Sequence, residues 1–271
     1  MAVPMSQVLG KAVGDLRHHP AAPRIRAVRD GTVVADSRDA LLVWEPGRIV
    51  PGYAVPESDL HVQIEASPTR SAPVEPAPVI LPGTPFAVHS CQGTAYDVVA
   101  SGEVLAGAAF RPADPDLSGV LLLDLDRFSW MEEDEPVFGH PRDPFHRVDV
   151  RRGSRHVRLG LDGLVVAESR RPVLLFETTL PARYYLPRDD VRLPLIESGT
   201  RTRCPYKGEA TYYSVAALGS AGIDIAWSYR TPLPDCPLVA GLVAFHHERL
   251  DLTVDGVTEP RPRRAWSQDD D

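Results

Sequence analysis

The chain has 271 residues, a formal net charge of −8, 27 prolines and only three cysteines. An acidic total speaks against nonspecific binding to nucleic acid or to an anionic membrane, and no apolar run approaches the roughly 20 residues that span a bilayer. An odd, sparse cysteine set (Cys91, Cys204, Cys236) with no C-x-x-C pair points away from a disulfide scaffold or a paired-cysteine zinc site and toward a reducing cytoplasm.

In chain order, the N-terminus lacks a compact apolar stretch with a cleavage site, so no secretory signal is expected, and a short helix fits near 6–17. The high proline count breaks long helices over most of the remaining chain, and strands joined by turns are predicted instead. The first β domain is placed at 23–140, interrupted by a Pro-rich insertion at 66–82 of linker-like composition. A connection comes next at about 136–150, then a second β domain at 152–258. In that domain Asp162-Gly163 is a hairpin signal between alternating residues, and Leu250, Leu252 and Val254 alternate with polar neighbours as a half-buried strand does. The tail Asp269–Asp271 reads as disordered. Residues 1–140 hold 10 basic and 19 acidic residues, a balance of −9, while 141–271 hold 19 and 18, a balance of +1.

The two domains are diverged copies of one another. Asp30-Gly31-x-Val-Val-Ala-Asp-Ser37 returns as Asp162-Gly163-x-Val-Val-Ala-Glu-Ser169. Leu41–Glu45 returns as Val173–Glu177, and Pro56–Asp59 as Pro187–Asp190. Gly119–Trp130 returns as Gly241–Leu252. Residues shared by both copies are what the fold needs, and polar residues confined to one copy are candidates for function. Arg183 and Tyr185 flank Tyr184 on the opposite strand face, and the first copy has Gly52 and Ala54 there, while Tyr184 matches Tyr53. Cys204-Pro205-Tyr206-Lys207-Gly208 aligns with His89–Gly93, keeping the glycine alone. Trp227-Ser228-Tyr229 aligns with Ala108-Ala109-Phe110.

These residues define a candidate site in the second copy. Arg183 and Lys207 would hold an anion. Trp227, Cys204 and Tyr206 would line the pocket with them, and Tyr185 and Tyr229 would donate hydrogen bonds or protons. Glu177 and Glu248 are acid/base candidates, but the first copy has Glu45 and Asp126 at those positions, which favours buried ion pairs. By alternation Glu248 is expected on the apolar face of the strand of Leu250. His246 and His247, read as strand neighbours, would face opposite ways and not form a two-ligand metal site. No phosphate loop, dinucleotide fingerprint, nucleophile elbow or zincin motif is present, and no metal or cofactor is expected.

At these motifs the second copy resembles a bacterial family, the domain of unknown function number 427, catalogued as nucleotidyltransferase-like. The resemblance rests on Ser154-Arg155-His156-Val157, Ala167-Glu168-Ser169, Phe176-Glu177, Arg183–Pro187, Cys204–Gly208, Ala226–Tyr229 and Val243-Ala244-Phe245. It implies a compact all-β fold similar to a β-tent, with the first copy a degenerate version. The chain lacks the acidic metal-binding motif of ordinary nucleotidyltransferases. The expectation is a metal-independent enzyme acting on a small anionic or aromatic molecule. The alternatives are a non-catalytic small-molecule binding or sensing module, or a structural interaction protein. No nucleic-acid or membrane partner is expected.

Overall fold

The computed structural model describes residues 2–68 and 79–262. Most of the Pro-rich insertion and the tail Asp269–Asp271 lie outside the described residues. The chain divides into two compact units, Met1–Asp143 and Pro144–Asp271. No helix is long and apolar enough to cross a membrane among the described residues.

The first unit opens with helix α1 (Met5–Ala12), shorter than the sequence suggests because the chain turns into a strand by Arg17. Its strands are β1 (Arg17–Pro20), β2 (Ile25–Arg29), β3 (Thr32–Ser37), β4 (Leu41–Trp44), β5 (Gly52–Pro56), β6 (Gln63–Ala66), β7 (Gly93–Ala100), β8 (Glu103–Pro112), β9 (Val120–Leu123), β10 (Ser129–Glu132) and β11 (Glu135–Pro136). The second unit contains β12 (Val148–Arg152), β13 (Val157–Leu161), β14 (Leu164–Ser169), β15 (Val173–Glu177), β16 (Arg183–Leu186), β17 (Ile196–Cys204), β18 (Gly208–Ser214), β19 (Ala226–Tyr229), β20 (Val243–Phe245), β21 (Asp251–Val254) and β22 (Val257–Glu259).

The topologies are identical strand for strand. One unit pairs a seven-stranded sheet β1-β4-β5-β9-β8-β7-β6 with a four-stranded sheet β11-β10-β2-β3. The other has β12-β15-β16-β20-β19-β18-β17 with β22-β21-β13-β14. The fold is therefore a tandem of two β domains, as the repeat predicts. Strands reach beyond the ranges expected from sequence. β1 lies before residue 23, and β12 begins before residue 152 and ends on it, yet each closes the edge of its large sheet against β4 or β15. Turn chemistry explains the shared hairpins: Asp30-Gly31 and Asp162-Gly163 all have positive φ, between 46° and 82°. That is the type I′ geometry that matches strand twist and favours glycine at the second position.

Each large sheet has two packed faces. In the second unit, Val157, Leu159, Leu252 and Val254 of the small sheet pack on Leu186, Tyr213, Ala226, Val243 and Phe245 of the large one. The other face buries Val173, Leu175, Tyr185, Trp227, Tyr229 and Ala244 with Cys236 and Val239. Its equivalent in the first unit buries Val43, Ala54, Phe110, Leu117 and Leu122. Alternation places Tyr184 toward the first face and Tyr185 toward the second, as expected.

Strand register corrects the sequence alignment in one segment. Tyr185 pairs with Ala244 and Ala244 with Trp227; Ala54 pairs with Leu122 and Leu122 with Phe110. The counterpart of Trp227 is therefore Phe110, two residues from Ala108, and that of Tyr229 is Pro112. The same ladder sets Gly93 against Pro112 and Ala210 against Tyr229, so Gly208 is not the counterpart of Gly93. The similarity of small residues in the two strands hid the slip, and only the hydrogen-bonded ladder fixes it. The register also reveals a volume exchange. Where the first unit pairs small Ala54 with Leu122, the second pairs Tyr185 with small Ala244, so the large side chain changes strands.

Candidate functional site

The residues expected to form the site lie on the outer face of the second unit's large sheet and its rim. β16 presents Arg183 and Tyr185, β19 presents Trp227 and Tyr229, and Glu177 ends β15. Cys204 ends β17, and Tyr206 and Lys207 sit in the turn before β18. Glu248 is not on a strand, contrary to the alternation argument, because the chain leaves β20 at Phe245 and turns before β21. His246 and His247 occupy the same turn, so strand geometry does not separate them.

Two ionic groups result. In one, the Lys207 ammonium bonds Glu177, whose other oxygen receives His146 Nε2 at 3.0 Å, and the His146 ring stacks on Tyr206 at 4.7 Å. In the other, Arg183 grips Glu248 with both terminal nitrogens, one at 2.8 Å, and its Nη1 lies 3.5 Å from the His247 ring. The Arg183 guanidinium stands 5.6 Å from the Trp227 ring centre, and His246 packs against the same indole at 4.5 Å. Between the groups, Trp227 Nε1 donates to the Tyr185 hydroxyl at 3.2 Å. Tyr212 stacks on His246 and shares a hydrogen bond with Thr202. Arg183 thus meets Trp227, and Trp227 meets Tyr185, while Lys207 sits in the other ionic group on Glu177.

Residues 149–256 match the sequence model of the family described as a domain of unknown function, number 427. The match falls within the second unit. A search of curated proteins gave no match for the chain.

Electrostatics limits what the second unit can do with these groups. Burial alone would push Glu177 up; the His146 hydrogen bond and the Lys207 charge outweigh it and hold the carboxyl at about 2. Glu248 is likewise driven up by burial and brought down to about 2 by Arg183. Both are anions at neutral pH, so neither is a ready proton donor. Burial lowers His247 to about 4, and the neighbouring Arg183 adds to the effect, so its ring is neutral. Burial raises Tyr185 and Tyr229 well above the usual phenol range, which keeps them as protonated hydrogen-bond donors. Lys207 stays charged, because Glu177 outweighs the effect of burial. Burial pushes Cys236 up to about 11 and leaves it a thiol whose Sγ faces the Tyr206 carbonyl. Cys204 is half-buried and free. Among the described residues no group of three or more His, Cys, Asp or Glu is placed to hold a metal ion.

The first unit sharpens which of these residues are special. Glu45, the counterpart of Glu177, is also buried and ionic, but takes its partners from other places: Arg48 Nε at 3.0 Å, His89 Nδ1 at 3.2 Å and the Ser90 amide at 2.9 Å. A buried glutamate with an imidazole and a cation is therefore common to both units, although the ladder puts Ser90 at the position of Lys207 and the cation and imidazole come from Arg48 and His89 instead. The trio around Arg183 is not repeated, since Gly52, Asp126 and Leu125 stand in for Arg183, Glu248 and His247. Comparison of the copies does not point to His146, placed in the connection, or to Tyr212, and in the sequence His246 and His247 figure only as a metal pair to be set aside. Ladder position finds Tyr212, opposite Trp227, whereas His246 and His247 lie in the turn after β20 and are found by their contacts with Trp227 and Arg183.

Proposed function

We propose that the second unit binds a small planar molecule carrying an anionic group, at the rim formed by Arg183, Glu248, His246, Trp227 and Tyr212. The observation that carries this reading is the cluster of Arg183, Tyr185, Trp227 and Tyr229 on a sheet face whose matching ladder positions in the first unit are Gly52, Ala54, Phe110 and Pro112, with Phe86 and His89 as the further rings there. Burying an ion pair costs desolvation that well-packed apolar residues avoid, so a fold that works with Gly52 and Ala54 does not require Arg183 and Tyr185. The side chains of Arg183 and Glu248 keep 13% and 25% of their exposure, so solvent reaches this pair. The indole, imidazole and phenol supply stacking surface, and the guanidinium supplies an anion fork. The three free thiols fit a reducing compartment, and we place the protein in the cytoplasm.

Turnover is the second reading, and one observation favours it. Glu177 holds His146 by Nε2 and leaves its Nδ1 without a hydrogen-bond partner among the described residues. The His146 side chain is 21% exposed, whereas His89 in the first unit is sealed at 2%. A carboxylate-oriented imidazole open to solvent is the arrangement of a general base.

The test is a thermal-shift titration of the full chain with benzoate, phenyl phosphate and adenosine monophosphate. At least one is expected to raise the unfolding midpoint, with the rise lost in Arg183→Met and in Trp227→Leu and kept in Phe110→Leu. Equal rises in wild type and both second-unit variants would overturn the assignment.

A further inference from the structure

Another feature of the second unit lies away from the aromatic rim, where the end of β14 meets the 3-10 helix Arg188–Asp190. There a cleft of about 510 Å³ is lined by His156, Glu168, Ser169, Arg171, Asp190 and Arg192, with Arg170 beside them. Most of its polar groups are used internally. Arg171 bonds Asp190 through Nη2 at 3.2 Å and Nε at 3.3 Å, the Ser169 hydroxyl donates to Asp190 at 2.6 Å, and His156 Nε2 lies 2.8 Å from Glu168. Arg170 and Arg192 are exposed, and neither guanidinium has a hydrogen bond or ion pair among the described residues. The Arg192 charge is nevertheless felt at both carboxylates, holding Glu168 and Asp190 below the usual range behind their larger hydrogen-bond partners, His156 and Arg171.

The first unit again serves as the control. Its matched positions are set by identical bonds: Arg192 N donates to Val166 O at 2.8 Å, and His61 N to Val34 O at 2.9 Å. The counterparts of His156, Glu168, Arg170, Arg171, Asp190 and Arg192 are then Arg24, Asp36, Arg38, Asp39, Asp59 and His61. Three arginines face two carboxylates in the second unit, whereas two arginines face three carboxylates in the first. Arg24 is also consumed by Asp36, with Nε at 2.6 Å. The local charge has changed sign while the scaffold has stayed the same.

We infer that this cleft is an anion site that takes the phosphate group of a small molecule. Two unpaired guanidiniums can each present a pair of donors to one tetrahedral oxyanion, and the Ser169 hydroxyl and Arg171 lie within the same walls. A dianion answers two free cations better than a monocarboxylate does.

The experiment is calorimetric titration of the full chain with inorganic phosphate and with glycerol phosphate at constant ionic strength. Millimolar binding is expected, weakened at least ~10-fold in Arg170→Gln/Arg192→Gln, a loss of about 1.4 kcal/mol. Arg192→His, which installs the first unit's residue, should weaken it in the same direction, and Arg38→Gln should leave it unchanged. Tighter binding of the ester identifies a phosphorylated metabolite as the ligand class, and equal binding identifies free phosphate. Affinity unchanged in the double variant, or chloride competing as well as phosphate, overturns the site. Because Arg183 and Trp227 play no part here, this result is independent of the aromatic rim.

Discussion

At the scale of the residue, the second unit carries ionised groups whose fate with pH has a definite sign. His247 has a native value of about 4 against an ordinary 6.5, so between these limits the unfolded chain binds a proton that the native state refuses. Stability therefore falls as pH drops through that window. Glu177 and Glu248 act later and in the same direction. Held at about 2 against 4.5, they contribute stability that is complete above pH 4.5 and is lost toward pH 2. The high-pH part belongs to His247 alone, on the order of 2 kcal/mol between about pH 7 and about pH 5. His247→Gln should remove most of that loss from the second unit's unfolding free energy while leaving the later acid loss in place. Matching losses in variant and wild type would show that His247 is not the group responsible. Much of this chemistry is readable in the sequence. Glu45 and Asp126 in the first copy mark Glu177 and Glu248 as candidates for buried pairs; Glu177 is in one with Lys207, whereas the Glu248–Arg183 pair stays partly exposed and Asp126 is exposed. The partners are not readable, because Arg183 finds Glu248 across 65 residues and His146 finds Glu177 from a segment without strand patterning.

At the scale of the element, the units also differ between β18 and β19. The first unit joins the matching strands β7 and β8 through Ser101-Gly102, whereas the second runs from Val215 to Ile225 through a 3-10 turn. This longer connection is closed by the Val215 amide donating to the Gly222 carbonyl at 2.9 Å. It is also tied to the turn of His247 and Glu248, because Arg249 donates to the carbonyls of Ala221 at 2.6 Å and Ile223 at 3.0 Å. Gly222 is the tight point: a Cβ there would stand 2.0 Å from the Val215 carbonyl oxygen, a backbone atom that cannot swing away. Gly222→Ala is expected to destabilise the second unit by about 1–3 kcal/mol, as overpacking does, and to loosen the turn that positions Glu248. Amide exchange would report both effects, through faster exchange at Val215 and at Arg249. Protection unchanged at both sites would rule the constraint out. Periodicity and turn residues reveal the strands flanking this loop, but a run such as Ala216–Gly222 has neither pattern, and its closure depends on contacts distant in sequence.

At the scale of the whole molecule, duplication has been accompanied by specialisation of chemistry on a conserved scaffold. No strand of one sheet is borrowed from the other unit among the described residues, and each unit has buried clusters of its own on both faces of its large sheet. Domains of this length bury enough surface to fold alone, and the hydrogen-bonded edges β12 and β17 both lie within the second unit. Residues 144–262 expressed by themselves should therefore fold cooperatively and melt within a few degrees of the second unit's transition in the full chain. The position of β12 makes this prediction specific. A fragment begun at residue 153 loses the strand that pairs with β15 from Arg152 opposite Val173 to Val148 opposite Glu177, and with it the His146 that holds Glu177. That shorter fragment should unfold at lower temperature and lose protection along β15, the strand it leaves at an open edge. Equal melting of the two fragments would mean that β12 is dispensable, and the unit would then begin where strand alternation in the sequence suggests.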